Sequence, residues 1–420
     1  MRIAFGIVSL FPGGGLQRDC LEIAKLVRSR GHDVTIYAER VSGDVHTDGI
    51  PVVTLANDSK TNHGRQYDFA IDFQHEASAH CDLTVGFNKL LGLDVLYCAD
   101  GSMYDRLRKQ PYLNLLPRYR TFANMERDCF SPDLKTKTIL LSQNQLLEYW
   151  RAWRTESQRM YLLPPTLSAA RRKPEFRTDG TRQKIRASFG LTDRAWTWMT
   201  VGVQPNTKGT DRVVRALAAF PDARLLIAGL GDDDNSARTV NALARNLGVA
   251  DRVSWLGHRE DIPHVMAAAD LLLHPSRYDT TGTVILEGLV NGLPVIATDV
   301  CGYATHVTTA GAGAVVAEPF DQDAFNAAIR SAQDPAVSAA WSKAGITYGQ
   351  RSGLSEGRQC AAQIILAAAH GKHPELAETA GIGLVPSGDE FAFDISTLQP
   401  AQDSDWTDYF AAGAPRTAAQ

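Results

Sequence analysis

Apolar positions near the start of the chain predict a strand, a turn, a helix and a second strand. Residues 2–9 are mostly apolar, which indicates a buried β-strand. Residues 12–15 read Pro-Gly-Gly-Gly and predict a turn. A helix is predicted over 16–30 because apolar residues recur on one of its faces: Leu16, Cys20, Ile23, Ala24 and Val27. With a second strand at 33–37, the segment predicts a βαβ unit.

The same alternation begins again in the second half of the chain. Strands are predicted at 196–202, 224–229, 253–256, 271–274 and 294–298, with helices at 210–219, 240–247, 262–268 and 282–291. Shorter strands at 83–87, 95–97 and 138–142 extend the first half, and the linker lies near 165–180. The pattern predicts an α/β protein of two Rossmann-like domains, 1–168 and 169–345. A ligand is expected in the cleft between them, at the carboxyl ends of the strands.

Charge and cysteine usage exclude several classes of protein. The net charge of the 420 residues is -4, and residues 371–420 hold eight acids and two bases, so the rest of the chain is near +2. This near-neutral body argues against a nucleic-acid partner. The six cysteines form no CxxC pair, so neither a zinc site nor a disulfide framework is indicated. The acidic tail, 372–420, lacks a clear period, and we predict partial disorder there.

A membrane role would have to be peripheral, since the first residues do not form a signal peptide and no apolar run is long enough to span a bilayer. Residues 102–130 nevertheless mix basic and aromatic side chains, as an anionic membrane surface would favour. The candidate membrane contacts are Arg106, Arg108, Lys109, Arg118 and Arg120. An ordinary amphipathic surface helix with extended arginines explains the pattern equally well.

The glycines at 13–15 lie between the first strand and the first helix. Backbone amides at such a turn can approach a phosphate, although a tight turn alone would also favour glycine. A dinucleotide fingerprint is absent, because Gly229-Leu230-Gly231 is followed by three aspartates and no third glycine. NAD binding is therefore disfavoured.

One acid precedes the predicted helix that follows the strand at 271–274, and a second lies inside it. Asp279 lies in the turn and Glu287 eight residues later, so the two carboxylates could hold different hydroxyl groups of one long ligand. Helix stabilisation by an N-terminal acid is the competing interpretation. Lys208 follows the strand at 196–202, where it could neutralise a diphosphate or could simply be solvated.

These segments, taken together, resemble the lipopolysaccharide core glucosyltransferase I family of Gram-negative bacteria, a group of retaining GT-B transferases related to glycogen synthase. The resemblance spans about residues 1–370 and is carried by short motifs. They are Gly14-Gly15-Leu16-Gln17-Arg18-Asp19, Thr61-Asn62-His63-Gly64-Arg65, Val85-Gly86-Phe87-Asn88-Lys89, Ala99-Asp100, Leu163-Pro164-Pro165, Lys208-Gly209, Asp270-Leu271-Leu272-Leu273-His274-Pro275, Cys301-Gly302-Tyr303-Ala304 and Ala317-Glu318-Pro319-Phe320.

The resemblance implies a role for each candidate residue. The implied donor is UDP-glucose, and it would contact Gly14, Gly15, Lys208, Gly257, His258, Arg259, Asp279, Thr281, Gly282 and Glu287. The acceptor, an inner-core heptose, would contact Asp19, His63, Arg65, Lys89 and Asp100. Catalytic roles fall to Asp100, Lys208 and Asp279.

The implied reaction proceeds with retention and without a metal or other cofactor, and the departing phosphate helps to deprotonate the acceptor. The implied location is the cytoplasmic face of the inner membrane. A C-terminal helix, 346–371, is expected to return to the N-terminal domain.

Two positions depart from the family pattern. The first acid of its paired-glutamate motif is Asp279, one methylene shorter, and the arginine that usually precedes the diphosphate lysine is Thr207. A nearby arginine, Arg171, Arg172 or Arg212, is a candidate to replace the missing charge. Another UDP-sugar donor and a catalytically weak membrane scaffold therefore remain as alternatives.

Overall fold

The computed structural model describes residues 1–351 and 353–373, so most of the predicted acidic tail lies outside the described residues. Thirteen strands and fifteen helices alternate along this part of the chain. In chain order they are β1 (Arg2–Leu10), α1 (Gly15–Ser29), β2 (Asp33–Val41), β3 (Val52–Thr54), α2 (Asn62–His80), β4 (Leu83–Gly86), β5 (Val95–Cys98), α3 (Met103–Lys109), α4 (Pro117–Phe130), β6 (Lys137–Leu140), α5 (Gln143–Trp153), β7 (Met160–Leu162), α6 (Thr181–Ser188), β8 (Trp196–Val201), α7 (Pro205–Lys208), α8 (Thr210–Ala218), β9 (Ala223–Ala228), α9 (Arg238–Asn246), β10 (Val253–Trp255), α10 (Ile262–Ala268), β11 (Leu271–His274), α11 (Thr283–Val290), β12 (Val295–Thr298), α12 (Ala304–Ala310), β13 (Gly313–Val316), α13 (Gln322–Ser331), α14 (Pro335–Tyr348) and α15 (Gly357–Lys372).

The strands form two separate parallel sheets, one in each half of the chain. The first has the order β3-β2-β1-β4-β5-β6-β7 and the second the order β10-β9-β8-β11-β12-β13. In each sheet the strand order reverses beside the first strand of the half, next to β1 and next to β8. Ligand clefts in doubly wound sheets open at such switch points. The prediction of two Rossmann-like α/β domains is confirmed.

Burial explains why these strands contain continuous apolar runs. Helices cover both faces of each sheet, so strands such as β4, β5 and β11 are buried at every position. The cores are assembled from these strands and from the apolar faces of the covering helices.

The C-terminal helix α15 packs on the N-terminal domain against α1. Arg358, near its start, bonds Asp19 of α1 at 2.8 Å, and Lys372, at its end, contacts Asp94 at 2.8 Å. Further contact between the domains occurs at the start of α5, where the Asn144 side chain donates to the Asp299 carbonyl at 2.8 Å. Because α15 returns to the N-terminal domain, the chain crosses between the two domains twice, once in the linker and once before α15.

Several helices carry too weak an apolar period to be predicted individually. One is α2, where the Thr61 hydroxyl caps the helix by accepting from the Gly64 amide at 3.1 Å. The basic segment at 102–130 is α3, a short 3₁₀ turn and α4. Within residues 1–351 and 353–373, no helix combines the length and the hydropathy needed to cross a bilayer.

Candidate active site

Lys208, His274 and Asp279 meet at the carboxyl ends of β8 and β11. One oxygen of the Asp279 carboxylate, Oδ2, lies 2.6 Å from Lys208 Nζ and 2.7 Å from His274 Nε2. The other oxygen accepts from the Gly282 amide at 3.0 Å. The loop between β11 and α11 is therefore closed around the carboxylate of Asp279, with the lysine on its cleft side.

This cluster is charged at neutral pH. Burial favours the neutral form of Asp279, but the hydrogen bond and charge of His274, with the charge of Lys208, lower the pKa of Asp279 to about 2. Burial likewise opposes the charge on His274, but the bond to Asp279 and the contact with Cys301 raise the pKa of His274 to about 9. Two basic side chains, those of Lys208 and His274, therefore lie against the Asp279 carboxylate, at the place where a diphosphate would need positive charge.

Helix α11 begins directly behind this cluster. Gly282 is its N-cap, with φ of +75°, and no side chain caps the helix. The first amides of the helix can therefore bind an anion or a hydroxyl group. Thr281 lies on the same turn, where its carbonyl accepts from the Tyr303 amide at 2.7 Å.

Glu287 lies on the same helix, largely buried, beside Arg171 of the interdomain linker. Arg171 Nε stands 3.8 Å from the Glu287 carboxylate. Burial raises the pKa of Glu287, while the charges of Arg171 and of Arg18, from the opposite domain, lower it. Of the arginines considered as replacements for a charge at Thr207, Arg171 thus faces the site. Arg212 instead packs over the Phe320 ring at 3.8 Å.

The loop after β10 supplies the third part of the donor side. Gly257 adopts φ of +64°, and its carbonyl accepts from the Gly229 amide at 2.8 Å. His258 is exposed, and Arg259 is held by two bonds to Asp261, at 2.8 and 2.6 Å. The carboxyl end of β9 is followed by Gly229, so the contact between Gly229 and Gly257 places the loop after β10 at the carboxyl edge of the sheet.

Gly14 and Gly15 form the facing wall, at the start of α1. A side chain at Gly14 would overlap the Gln17 amide, whose nitrogen donates to the Ser9 carbonyl at 2.9 Å. A Cβ at Gly15 would meet nothing within 4 Å. The absence of a side chain at Gly15 therefore leaves open space at the helix N-terminus.

The loop after β5 carries Asp100, whose side chain is exposed. Across the cleft, the Tyr278 hydroxyl lies so close to Gly101 that a Cβ there would overlap it. The loops bearing Asp100 and Asp279 therefore approach each other from opposite domains. Glu148, behind the Asp100 loop, accepts from the Ser102 amide at 3.0 Å, and burial raises the pKa of Glu148 to about 7.

Lys89 does not occupy the open position expected of an acceptor contact. Its ammonium group is buried, 2.7 Å from Glu126 and 2.9 Å from the Gly101 carbonyl. Burial opposes its charge, but the Glu126 carboxylate outweighs this and keeps the pKa of Lys89 above its ordinary value. The ammonium group is therefore directed at the Glu126 carboxylate and the loop backbone, and the acceptor contact of Lys89 stays a prediction.

The other predicted acceptor residues belong to the N-terminal domain. Asp19 is bonded to the Tyr97 hydroxyl at 2.9 Å and to Arg358 at 2.8 Å. His63 and Arg65 are in the first turn of α2, where Arg65 stands 3.9 Å from Glu39. Asp100, His63 and Arg65 thus keep partly or fully exposed side chains, whereas Asp19 is engaged by α15.

Sequence reasoning missed three residues of this region: His274, Glu126 and Tyr278. His274 is the last residue of the apolar strand β11, and a polar residue at the carboxyl end of a buried strand was an available signal. Glu126 lies in a basic stretch and gave no signal, because its partners are distant in sequence. Among the described residues, no group of three or more His, Cys, Asp or Glu could hold a metal ion.

The segment from α3 to α4 forms a separate surface feature. Three apolar side chains protrude there: Tyr112, Leu115 and Leu116, at 66%, 81% and 47% exposure. Around them stand the predicted basic residues, of which Arg108 and Lys109 pair with Asp105 at 3.1 and 2.7 Å. Arg106 lies over the Tyr119 ring and Arg118 over the Phe122 ring. We call residues 103–122 the basic–apolar surface.

Comparison with known proteins agrees with this geometry. The family of glycosyl transferases group 1 matches residues 181–347. The lipopolysaccharide glucosyltransferase WaaG of Escherichia coli (strain K12) is 35% identical over 373 residues, which is 87% of this chain and 98% of the relative.

Solved structures extend the likeness to three dimensions. The crystal structure of WaaG, described as a glycosyltransferase involved in lipopolysaccharide biosynthesis, aligns with a TM-score of 0.79 over 86% of this chain and 99% of that one, at 35% identity. Sucrose-phosphate synthase from Thermosynechococcus elongatus aligns at 0.68 over 90% and 98%, but its 18% identity shows the fold alone. The chain therefore belongs to the WaaG family of group 1 glycosyltransferases and is a hexosyltransferase with the GT-B fold.

Proposed function

We propose that the protein transfers glucose from UDP-glucose to the inner-core heptose of lipopolysaccharide, with retention of configuration and without a metal ion. The observation that carries the proposal is the Lys208–Asp279–His274 cluster at the N-terminus of α11. The name of the Escherichia coli relative, a lipopolysaccharide glucosyltransferase, supports the acceptor class and the transferred sugar.

On the donor side, each group has a chemical task. Lys208 and the α11 amides stabilise the charge that grows on the departing diphosphate, and Gly14 and Gly15 let it approach the start of α1. Asp279, with the backbone at Thr281 and Gly282, binds the sugar hydroxyls. Glu287 binds the ribose, and the 257–259 loop flanks the base. These positioned contacts stabilise an oxocarbenium-like transition state, so no metal is required.

On the acceptor side, Asp100 faces the donor site and orients the attacking hydroxyl group. The departing phosphate takes up the proton from that hydroxyl on the same face, which gives retention. His63 and Arg65 supply positive charge for an anionic substituent of the heptose. Asp19 supports this wall through its bonds to Tyr97 and Arg358.

We further propose that the basic–apolar surface binds the anionic cytoplasmic leaflet of the inner membrane. Leu115 and Tyr112 would enter the interface while the surrounding arginines contact lipid head groups. A Leu115→Asp variant should lose sedimentation with vesicles containing phosphatidylglycerol. If the variant sediments with the vesicles as the wild type does, the basic–apolar surface is an ordinary solvated surface and not a membrane contact.

Two alternatives follow from the departures in sequence. Because Asp279 is one methylene shorter than glutamate, the donor site could fit a different UDP-sugar. Because Thr207 carries no positive charge, the second alternative is a membrane scaffold with little or no transferase activity. Arg171 and Arg18 lie near the donor site and can supply this charge, and this argues for the enzyme.

Thermal unfolding of the purified protein separates these possibilities. UDP, GDP, ADP and a panel of UDP-sugars are added in the presence and absence of a chelator. A ligand that binds only the folded state raises the unfolding midpoint. We expect UDP to raise it and UDP-glucose to raise it further, with no effect of chelator. A larger shift with another UDP-sugar would identify that sugar as the donor in place of UDP-glucose. If no nucleotide shifts the midpoint, the scaffold alternative is favoured.

A further inference from the structure

The carboxylate of Glu126 is the centre of a buried polar cluster that the proposed reaction does not use. Glu126 lies in α4 and is fully buried. Five donors reach its two oxygens: Lys89 Nζ at 2.7 Å, Ser102 Oγ at 2.6 Å, the Met103 amide at 2.6 Å, the Tyr104 amide at 3.1 Å and Trp153 Nε1 at 2.8 Å. A buried carboxylate needs such a set of donors, because an unpaired charge in the core is very unfavourable.

Three of these donors belong to the start of α3, immediately after the Asp100 loop. Ser102 is the N-cap of α3, and its hydroxyl accepts from the Asp105 amide at 3.1 Å while it donates to Glu126. Lys89 reaches the same loop from below, since its ammonium also donates to the Gly101 carbonyl at 2.9 Å. The Asp100 carbonyl is held by Gln145 and Tyr149. The backbone at 100–104 is thus held from behind, while the Asp100 side chain faces outward.

We propose that Lys89 and Glu126 are positioning residues that set where the Asp100–Gly101 loop stands in the cleft, and thereby the placement of the acceptor. The inference rests on the proposed function. Neither residue contacts the substrate. Both act through the loop whose Gly101 lies against Tyr278 of the opposite domain.

The donor side should be insensitive to this cluster. Lys208, Asp279 and α11 belong to the C-terminal domain, and none of the five donors to Glu126 comes from that domain. Glu126 also belongs to the same helix as part of the basic–apolar surface. A shift of α4 would therefore reach the acceptor wall through this carboxylate before it reached the donor site.

The test compares Ser102→Ala and Glu126→Gln in the full chain. Ser102→Ala removes one donor to the carboxylate but keeps the backbone bonds, and Ser102→Thr restores the hydroxyl. The matched control is Arg159→Met. Arg159 is buried in the same domain and binds the carbonyls of Thr136, Phe130 and Ser131, away from the loop. Assays use UDP-glucose with heptose-terminated inner-core lipopolysaccharide, and the UDP-induced shift in unfolding midpoint reports donor binding separately.

Ser102→Ala and Glu126→Gln should lower kcat/KM for the acceptor by about tenfold or more, because displacement of a positioning group by about 1 Å can cost about 100-fold. The KM for UDP-glucose should change by less than about twofold. The shift in unfolding midpoint that UDP induces should stay close to that of the wild type. Ser102→Thr should recover most of the acceptor effect. Arg159→Met should lower the unfolding midpoint without changing the ratio of acceptor to donor KM.

Equal changes in both KM values, or a pattern matching Arg159→Met, would overturn the inference while the proposed function stands. Ser102→Ala alone decides the matter if Glu126→Gln does not fold. A wild-type protein that transfers no glucose to the heptose acceptor overturns the proposed function, and the inference falls with it.

Discussion

Two lysine–carboxylate pairs have almost equal nitrogen–oxygen distances but very different surroundings. Lys208 lies 2.6 Å from Asp279 and Lys89 lies 2.7 Å from Glu126. The side chains of the first pair are 24% and 11% exposed, and those of the second are 10% and 0% exposed. The first borders the cleft, where a ligand can replace one partner, whereas the second is enclosed by five donors. Distance therefore does not separate a pair that borders the cleft from one that is enclosed, but burial and the remaining hydrogen-bond partners do.

Neutralising the cleft pair should have the largest effect on activity. Lys208→Met should lower kcat by about 100- to 1,000-fold, as expected when a group that stabilises transition-state charge is removed. The unfolding midpoint should change little, because Asp279 keeps its bond to His274. Initial rates of transfer from UDP-glucose measure the effect, with Lys184→Met, an exposed lysine of the same domain, as the control. A wild-type kcat in Lys208→Met would remove this lysine from the mechanism.

Neutralising the buried pair should instead affect folding. Lys89→Met leaves the Glu126 charge uncompensated, and the free energy of unfolding should fall by about 3–5 kcal/mol. The double variant Lys89→Met/Glu126→Gln should recover part of this loss, since the neutral amide has no charge to bury and its oxygen still accepts hydrogen bonds from the remaining donors. Urea denaturation measures both. If the double variant is as unstable as the single one, packing rather than charge determines stability here.

The facing wall at Gly15 offers a variant that leaves folding intact. Gly15→Ala puts a methyl group into open space at a position that does not need positive φ, so the fold should persist with slightly improved helix stability. The same methyl group would meet the donor phosphates, and we expect the KM for UDP-glucose to rise by about tenfold, or about 1.4 kcal/mol. Gly371→Ala, also in open space but far from the cleft, is the control. Equal KM values in both variants would place the phosphates elsewhere.

The smallest expected effect is the pH dependence of stability at the cleft cluster. The folded-state pKa of His274 is raised from 6.5 to about 9, so its contribution is complete below pH 6.5 and is lost as the pH rises to about 9. The folded-state pKa of Asp279 is lowered from 3.8 to about 2, so its contribution is present above pH 3.8 and is lost as the pH falls towards 2.

The stability difference between wild type and His274→Gln should therefore be largest between pH 3.8 and 6.5 and should shrink above about pH 9. Urea titrations across this range measure it, with the exposed His75→Gln as control. A difference that does not vary with pH would show that His274 is not charged in the folded protein.

Local pattern was sufficient for most of the strands and for the position of the cleft. The strand at Leu271–His274 and the helix at Ile262–Ala268 were predicted at their observed bounds, because a continuous apolar run and a helical period are local signals. The helix α2 was missed, since its exposed face includes apolar residues such as Ile71 and its period is weak. The spacing of Asp279 and Glu287 made them candidates only, with helix stabilisation as the competing interpretation, and the family resemblance supplied their predicted roles.

Local sequence signals were enough to predict the two parallel α/β domains, the glycine turn at the first helix and the acids near α11, because period and turn chemistry act over a few residues. Which charges face the cleft depends instead on packing between distant segments. This packing encloses Lys89 with Glu126, 37 positions away, brings Lys208 to Asp279, 71 positions away, and joins Asp19 to Arg358, 339 positions away. A lysine in a motif looks the same in sequence whether it is buried or open. Its role depends on the burial and the partners that packing between distant segments creates.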